Sequence, residues 1–355
     1  MKARNVRAAR PGIVSAAALR IGVAAVLLLV VATLGPAQTV RSGSPVSQEL
    51  RTTYLKALDF LVKAQADDGS WEGSAGVTGI CLMALIATGE DPNFGRYAEA
   101  VRKAIRAIVA RQDETTGFIA TGMYEHGFAM LALADCYGAV DDELVFTGKV
   151  KGRSIAKALE LAARCAVTSQ EQNPFKAWRY SPSARDADTS AAGAVFMGLL
   201  GARNSGIEVP DESIDAALDY YASMTTKGGM VGYAGSFSMM DSGARSAIAT
   251  LVFAVAKRKD RETYKAAAEY VSDNAESPNM SWPEYWRYYT AQALFQANHE
   301  LWLKWNEENT RWIVSLQRDD GAIPIPGASG GTAYATGMAL LSSALTYCFL
   351  PIYER

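Results

Sequence analysis

Hydrophobic residues recur along the chain with helical spacing, and two kinds of helical segment alternate. In the first kind the apolar positions form one stripe, as Leu55, Leu58 and Val62 do, which is typical of an amphipathic helix that covers a core. In the second kind apolar residues occupy every face, as in 80–87 and 191–200. Because a helix without a polar face has to be enclosed by other helices, the pattern predicts an all-α protein with an inner and an outer layer.

The order of the segments predicts helix pairs. Amphipathic segments are predicted near 52–65, 97–112, 153–169, 211–226, 261–275 and 300–317. Apolar segments are predicted between them, near 76–88, 124–137, 187–203, 241–257, 285–298 and 332–349. Repetition at a period of roughly 40 to 60 residues is typical of a repeat architecture. Since the inner helices of an open solenoid would show a polar stripe on their exposed face, we predict a closed (α/α)6 toroid of six inner and six outer helices.

A glutamine near the end of several amphipathic segments precedes a large apolar side chain by six residues. The pairs are Gln65 and Trp71, Gln112 and Phe118, Gln172 and Trp178, and Gln317 and Ile323. Gly69 and Gly321 suit a left-handed turn after a helix end, where carbonyl groups lack partners. The glutamine amide can satisfy such backbone groups, so this second periodicity also favours a closed ring.

At these residues the chain resembles a known family. The 65–71 stretch resembles the repeated Gln-Trp motif of squalene-hopene and oxidosqualene cyclases, and the helix pairs resemble their toroid and that of protein prenyltransferase β subunits. The stretches 123–127, 178–180, 188–190 and 285–289 are more similar to bacterial single-toroid proteins of the prenyltransferase and squalene oxidase repeat type. The resemblance covers roughly residues 51–355 and implies the toroid fold, whereas activity does not follow because one fold carries many functions.

Cyclases of this family start catalysis with an Asp-x-Asp-Asp-Thr motif, and this chain has Arg-Asp-Ala-Asp-Thr-Ser at 185–190. If Asp188 and Thr189 are matched to the end of that motif, the proton-donor position is Ala187. If Asp186 and Asp188 are matched to its start, Asp188 becomes the donor and lacks its acidic neighbour. Either alignment misses one of the clustered carboxylates that tune such an acid. Asp186 and Asp188 are therefore the candidate catalytic residues, and a helix N-cap role for Asp188 stays open.

Polar and aromatic residues recur at the predicted starts of the apolar helices. If these helices run in the same direction, the residues meet at one end of the ring, and a mainly apolar cleft with a few polar groups is typical of a ligand site. The candidate ligand-binding residues are Tyr124, Glu125, His126, Asp241, Tyr285, Trp286, Tyr289 and Tyr334. His126 as a core histidine, and Asp241 and Arg245 as an ion pair within one helix, remain the simpler alternatives.

These observations favour a toroid that binds an isoprenoid or lipid in its central bore, or an envelope protein, without full cyclase activity. A proton-initiated terpenoid cyclase that uses Asp188 is one alternative. A polysaccharide-cleaving toroid enzyme is another, since such enzymes need two carboxylates and aromatic platforms. The residues available for it are Glu125, Asp186, Asp188, Asp241, Glu284 and Trp286. Whether the protein is an enzyme stays open.

Metal and cofactor chemistry has little support in the sequence. A prenyltransferase would hold zinc with an Asp, a Cys and a His, but Cys348 and His299 lack the flanking pattern of that family. We expect no metal and no cofactor. The four cysteines, Cys81, Cys136, Cys165 and Cys348, allow three disulfide connectivities in an oxidising compartment. Their apolar helical surroundings favour buried thiols instead.

Charge and the N-terminus bear on localisation. The chain has 35 basic and 37 acidic residues, and the five basic residues before Ala37 lie in a stretch without acids, so 30 against 37, a balance of −7, remain after it. Such a body lacks the clustered cations that phosphate binding needs, so we expect no nucleic-acid partner.

The basic stretch is followed by a nearly wholly apolar run over 21–34 and then by Gly35-Pro36-Ala37. This order predicts a signal peptide over 1–37, a linker over 38–50 and the toroid domain over 51–355. The protein would be exported to the periplasm or cell envelope, where peripheral association with the membrane is an option. An uncleaved signal would instead anchor it in the membrane.

Overall fold

The computed structural model describes residues 46–148, 153–234, 242–277 and 281–346, so the predicted signal peptide lies outside the described residues. In chain order the helices are α1 (Gln48–Ala64), α2 (Ala75–Ile86), α3 (Ala98–Ala110), α4 (Met123–Cys136), α5 (Asp142–Val145), α6 (Ile155–Gln172), α7 (Thr189–Asn204), α8 (Asp211–Ser223), α9 (Ser242–Val255), α10 (Glu262–Asp273), α11 (Pro283–Ala297), α12 (His299–Leu316) and α13 (Thr332–Ser343), followed by a 3₁₀ turn (Ala344–Thr346). Within these ranges the only β-structure is isolated bridges. Helix α1 begins within the predicted linker, and the Ser47 hydroxyl caps it by accepting from the Leu50 amide.

Burial separates the two kinds of helix that the sequence pattern predicts. Eleven of the twelve residues of α2 are buried, whereas only six of the seventeen residues of α1 are. The inner helices are α2, α4, α7, α9, α11 and α13, and the outer helices are α1, α3, α6, α8, α10 and α12. The alternation follows from solvation, because each outer helix presents one apolar stripe to an inner helix that has no polar face.

The inner helices form a closed ring. In the part of the chain that the structure describes, α2 packs on α4, α4 on α7, α7 on α9, α9 on α11, α11 on α13, and α13 packs back on α2. Small residues allow this packing: a Cβ atom on Gly127 of α4 would lie 2.4 Å from the carbonyl carbon of Ala194 on α7. The prediction of an all-α, α/α-toroid fold is confirmed.

Glutamine amides fasten the outer helices to one another. The Gln65 side chain donates to the carbonyl oxygens of Gly69, in the turn after α1, and of Ala100, in the next outer helix, at 2.9 and 3.0 Å. Gln112 at the end of α3 donates in the same way to Gly117 and to Ala158 of α6. Each amide thus satisfies a turn carbonyl and a neighbouring helix at once.

The last outer helix is joined to the first by the same device, and we call this junction the seam. Gln317 after α12 donates to the carbonyl of Gly321 at 3.2 Å and to that of Thr53 in α1 at 2.8 Å. Gly321 has φ of +93°, and a Cβ atom there would lie 2.2 Å from the carbonyl oxygen of Lys56. The seam therefore has the same hydrogen-bond geometry as the junctions between outer helices that follow one another along the chain.

The third repeat departs from the predicted spacing. Gln170, not Gln172, makes the two bonds, to the carbonyls of Lys176 and of Ser213 in α8. Gln170 is 2% exposed, whereas Gln172 is the exposed last residue of α6. The segment between the bonding glutamine and the tryptophan is two residues longer in this repeat, which is about half a helical turn. A fixed spacing of six residues therefore selects Gln172 instead of Gln170.

Three cysteines, Cys81, Cys136 and Cys165, are buried and free, whereas Cys348 lies outside the described residues. Burial raises the pKa of the Cys81 and Cys136 thiols well above the usual value. Among the residues described, none of the helices combines the length and apolar character that a membrane span requires.

Candidate functional site

A cavity of about 520 Å³ lies where the N-termini of the inner helices meet. Each inner helix contributes at least one residue from its first turns; examples are Gly76, Tyr124, Ser190, Ala244, Tyr285 and Tyr334. The inner helices therefore start at the same end of the ring. Among the described lining residues, none lies deeper in its helix than the second turn, and Phe196, Met197 and Phe253 are buried core residues that are not in this lining.

Aromatic side chains form much of the cavity wall. The ring of Tyr124 lies 5.3 Å from that of Phe128 and 5.9 Å from that of Tyr285, measured between centroids. Tyr334 and Trp282 complete this side of the wall. Burial raises the pKa of the Tyr124 hydroxyl well above its usual value, with a smaller contribution from Tyr285, so these hydroxyl groups remain neutral.

Two further tyrosines, Tyr180 and Tyr233, line the cavity and share a hydrogen bond between their hydroxyl groups. The Arg179 guanidinium lies 5.3 Å from the Tyr180 ring and 5.9 Å from the Tyr233 ring. Neither tyrosine was predicted as a site residue. Both lie in loops that precede inner helices, and hydrophobic periodicity says nothing about the path of such loops.

Among the described lining residues, Glu125 and Arg245 carry the charge. Arg245 is 7% exposed, donates from Nε to the Val231 carbonyl at 3.0 Å, and stands 5.8 Å from the Tyr233 ring. Glu125 packs against Gly76, where a Cβ atom would lie 3.1 Å from the Glu125 Cβ and Cγ atoms. Its carboxylate makes no hydrogen bond or ion pair with any residue the structure describes.

His126, a predicted ligand residue, does not line the cavity. It is fully buried, its Nδ1 accepts from the Ile119 amide at 3.0 Å, and its Nε2 bonds the Ala162 carbonyl at 3.1 Å. The ring is therefore neutral with its proton on Nε2, and burial lowers the pKa of His126 to about 4. Thr78 makes the equivalent bond in the first repeat, where its hydroxyl accepts from the Trp71 amide at 3.1 Å.

Asp188 is the N-cap of α7, and neither predicted catalytic aspartate lines the cavity. The Oδ1 atom of Asp188 accepts from the amides of Ser190 and Ala191 at 2.9 and 2.8 Å. Its Oδ2 atom is buried without a hydrogen bond, 3.7 Å from Arg179 Nε. Burial raises the pKa of Asp188, against the opposing effect of these amides and of Arg179. Asp186 points outward, 61% exposed, and bonds Arg179 at 2.5 Å.

Of the remaining predicted ligand residues, some line the cavity and others do not. Tyr124, Glu125, Tyr285 and Tyr334 lie together in the wall, and their role as ligand contacts stays a prediction. Trp286 faces away from the cavity wall and packs against Trp305, with ring centroids 6.1 Å apart. Tyr289 is 1% exposed and lies behind Tyr285 at 4.8 Å. Asp241 lies outside the described residues.

Two carboxylates behind the wall hold the loop before α13. Glu284 is 1% exposed, and its Oε1 accepts from the backbone and hydroxyl of Ser329, while its Oε2 has no hydrogen-bond partner. Glu72, which has φ of +54°, accepts from the amides of Gly331, Ala333 and Tyr334. Within the described ranges, no three His, Cys, Asp or Glu side chains group as a metal site requires.

Comparisons with solved structures agree on the fold. The GH76A alpha-1,6-mannanase from Salegentibacter sp. HEL1_6 is 10% identical, with a TM-score of 0.59 over 84% of this chain and 99% of that one. A variant of the type II terpene cyclase MstE from Scytonema, in complex with the product merosterolic acid A, is 15% identical, with a TM-score of 0.56 over 85% and 98%. A second MstE variant, in complex with the substrate geranylgeranyl dihydroxybenzoate, is 14% identical, with a TM-score of 0.55 over 85% and 98%.

Both the mannanase and the cyclase are α/α toroids, so the likeness assigns this chain to that fold and, at these identities, to no activity. No protein-family model and no curated protein matches the sequence.

Proposed function

We propose that this protein binds a small apolar molecule, an isoprenoid or a lipid chain, in the cavity at the N-termini of its inner helices. The observation that carries the proposal is a cavity of about 520 Å³ walled largely by aromatic and aliphatic side chains. Cavities of about 300–1,000 Å³ with few polar groups are typical ligand sites. The complex of the MstE variant with a geranylgeranyl compound supports an isoprenoid, because that protein shares the fold.

The volume limits the ligand's size. Sites of about 300–1,000 Å³ are typical of small-molecule ligands, and this cavity lies in the lower half of that range. We therefore expect a C15 or C20 chain to bind better than a C30 chain such as squalene. The proposal therefore differs from a squalene cyclase in substrate size as well as in its acid motif.

A ladder of chain lengths tests the proposal. Geraniol, farnesol, geranylgeraniol and squalene would be titrated into the protein, and we expect affinity to rise to the C15 or C20 member and to fall at squalene. Val77 lines the cavity on α2, so Val77→Trp should weaken farnesol binding by at least about tenfold. Val62→Trp, at a 38% exposed position of α1, is the matched control. Absence of binding along the whole ladder would overturn the proposal.

A cyclase reaction initiated by Asp188 is the second candidate, and the observation that favours it is the buried Oδ2 atom without a hydrogen bond. Asp188 is fully buried and outside the wall, so a substrate could reach it only after the first turn of α7 moves. Incubation with geranylgeraniol and longer polyprenes, followed by product analysis, tests this activity. Cyclic product that is lost in Asp188→Asn would establish the reaction, since asparagine keeps an acceptor for the cap.

Polysaccharide cleavage has less support. Of the carboxylates considered for it, Glu125 lines the cavity, whereas Asp186, Asp188 and Glu284 are not lining residues and are bonded to protein groups. A glycoside hydrolase needs two facing carboxylates about 5–9.5 Å apart. New reducing ends released from a polysaccharide panel would favour this function instead.

Export to the periplasm or envelope is part of the same proposal and is supported by the basic and apolar order of residues 1–37. An envelope protein would then be an alternative occupant of the cavity. The intact mass of the protein recovered from the periplasmic fraction tests cleavage after Ala37, and recovery of the full-length chain from membranes would instead indicate an anchor.

A further inference from the structure

We propose that the ligand carries an ammonium group, which Glu125 binds among the aromatic rings of the cavity. This inference rests on the proposed function, because it adds a polar group to the apolar ligand of the same cavity. The ligand class is an amphiphile with a C15 or C20 apolar body and one primary or secondary amine.

The first observation is the state of Glu125. Its carboxylate lines the cavity and has no donor among the described residues. The N-terminal dipole of α4 favours a negative charge at this position, but no amide reaches the carboxylate as amides do at Asp188. Glu125 is half-buried in a largely apolar wall, and a charged donor is the strongest partner for such a carboxylate. An ammonium group of the ligand would supply both the charge and the hydrogen bonds.

The second observation is the aromatic wall around it. The rings of Tyr124, Phe128, Trp282, Tyr285 and Tyr334 line the cavity. The faces of such rings are negative and attract organic cations, and sites that bind ammonium groups are commonly built from them. A carboxylate of the ligand would meet these faces and Glu125 together, so an anionic head group is disfavoured on this side.

The third observation is the negative charge near Tyr334, on glutamates that do not themselves line the cavity. Glu72 and Glu284 lie close enough to Tyr334 to raise the pKa of its hydroxyl, after the larger effect of burial. Glu284 is almost fully buried, with Oε2 lacking a hydrogen bond. Neither carboxylate has a cationic side-chain partner among the described residues. Glu72 is exposed and already accepts from three amides, so the negative charge that an organic cation would offset is that of Glu125 and Glu284. The three glutamates do not group as a metal site.

Arg245, the cation in the described wall, is carried by α9 and bonds protein groups. Its guanidinium bonds the Val231 carbonyl and faces the Tyr233 ring, whereas Glu125 packs on Gly76 of α2. The helices that carry them, α4 and α9, are separated in the ring by α7. The two charged groups of the described wall thus lie on different helices, and the proposed ammonium group binds at the one on α4.

Three probes with one apolar body test the inference: farnesol, farnesylamine and farnesoic acid, titrated into the whole protein. We expect farnesylamine to bind at least about tenfold more tightly than farnesol, and farnesoic acid to bind most weakly. Glu125→Gln should reduce the preference for the amine over farnesol to less than about twofold. Glu269→Gln, at an exposed position of α10, removes one charge from the outer surface and should leave the preference unchanged.

The outcomes separate the two proposals. Farnesol binding without a preference for the amine, or tighter binding of the acid, would overturn the ammonium site and leave the proposed function standing. Absence of binding by all three probes would overturn both. If Glu125→Gln does not fold, the order of the three affinities in the unaltered protein still decides.

Discussion

Closure of the ring at the seam can be tested by a single methyl group at Gly321. The residue has φ of +93°, and an added Cβ atom would lie 2.2 Å from the Lys56 carbonyl oxygen of α1. The left-handed conformation alone costs an alanine about 1–2 kcal/mol. Forcing an extra carbon into a packed contact costs about 1–3 kcal/mol more. We therefore expect Gly321→Ala to lower the free energy of unfolding by about 2–5 kcal/mol.

Two further glycines separate strain from packing. Gly69 has φ of +86° and a neighbour at 2.3 Å, the Lys103 carbonyl oxygen, so Gly69→Ala measures the same contact inside the ring. Gly206 has φ of +89° and nothing within 4 Å of an added Cβ, so Gly206→Ala should cost only about 1–2 kcal/mol. In a closed ring Gly321→Ala resembles Gly69→Ala. In an open ring it would resemble Gly206→Ala.

Equilibrium unfolding in urea measures the three variants, with the midpoint and the slope analysed together. The slope reports the surface exposed on unfolding and should stay constant if each variant unfolds in one transition. Equal losses for Gly321→Ala and Gly206→Ala would refute closure at the seam, whatever their absolute size.

Three other substitutions or titrations test single contacts. Gln170→Leu should lower the unfolding free energy in urea by about 1–3 kcal/mol, because it removes two hydrogen bonds, of which the one to the Ser213 carbonyl is buried, whereas Gln172→Leu at the exposed position should cost less than about 0.5 kcal/mol; equal costs would contradict the reassignment. NMR should show a neutral His126 ring down to about pH 4. Because the unfolded histidine takes up its proton near pH 6.5, the free energy of unfolding should fall by about 3 kcal/mol between pH 7.5 and pH 4. A ring that titrates near 6.5 would contradict the burial of His126. Glu72→Ala should lower the free energy of unfolding by about 1–3 kcal/mol and increase hydrogen exchange at the Tyr334 amide, because it removes the acceptor for the first amides of α13. Unchanged exchange would show that this cap is dispensable.

The alternation of helices was predictable because burial on all sides leaves its mark on every face of a helix. The same feature made the starts of the inner helices visible, and with them Tyr124, Glu125, Tyr285 and Tyr334. The helix boundaries at the seam were less directly predictable from the sequence pattern. The Gln-Trp spacing was correct for Gln65 and wrong for Gln170, because the length of each turn varies between repeats.

Contacts made by loops across the chain could not be predicted. Glu72 caps a helix some 260 positions away, and no local pattern distinguishes it from a surface acid. His126 illustrates the opposite error. Beside Glu125 at a helix start it had the signature of a site residue, yet its ring takes the place of the Thr78 hydroxyl as acceptor for a turn amide. Only the comparison of repeats in three dimensions reveals that equivalence.

The common direction of the inner helices also decides which acids are available for chemistry. Because the N-termini of the inner helices converge, backbone amides without a partner in their own helix and positive dipole ends lie around the cavity. Carboxylates nearby can accept hydrogen bonds from these amides. Asp188 and Glu72 bond the first amides of α7 and α13, and Glu284 holds Ser329. Glu125 has no such duty among the described residues. Acidity at this end of the ring is therefore mostly structural, and a carboxylate that acts on a ligand in the described wall has to be Glu125.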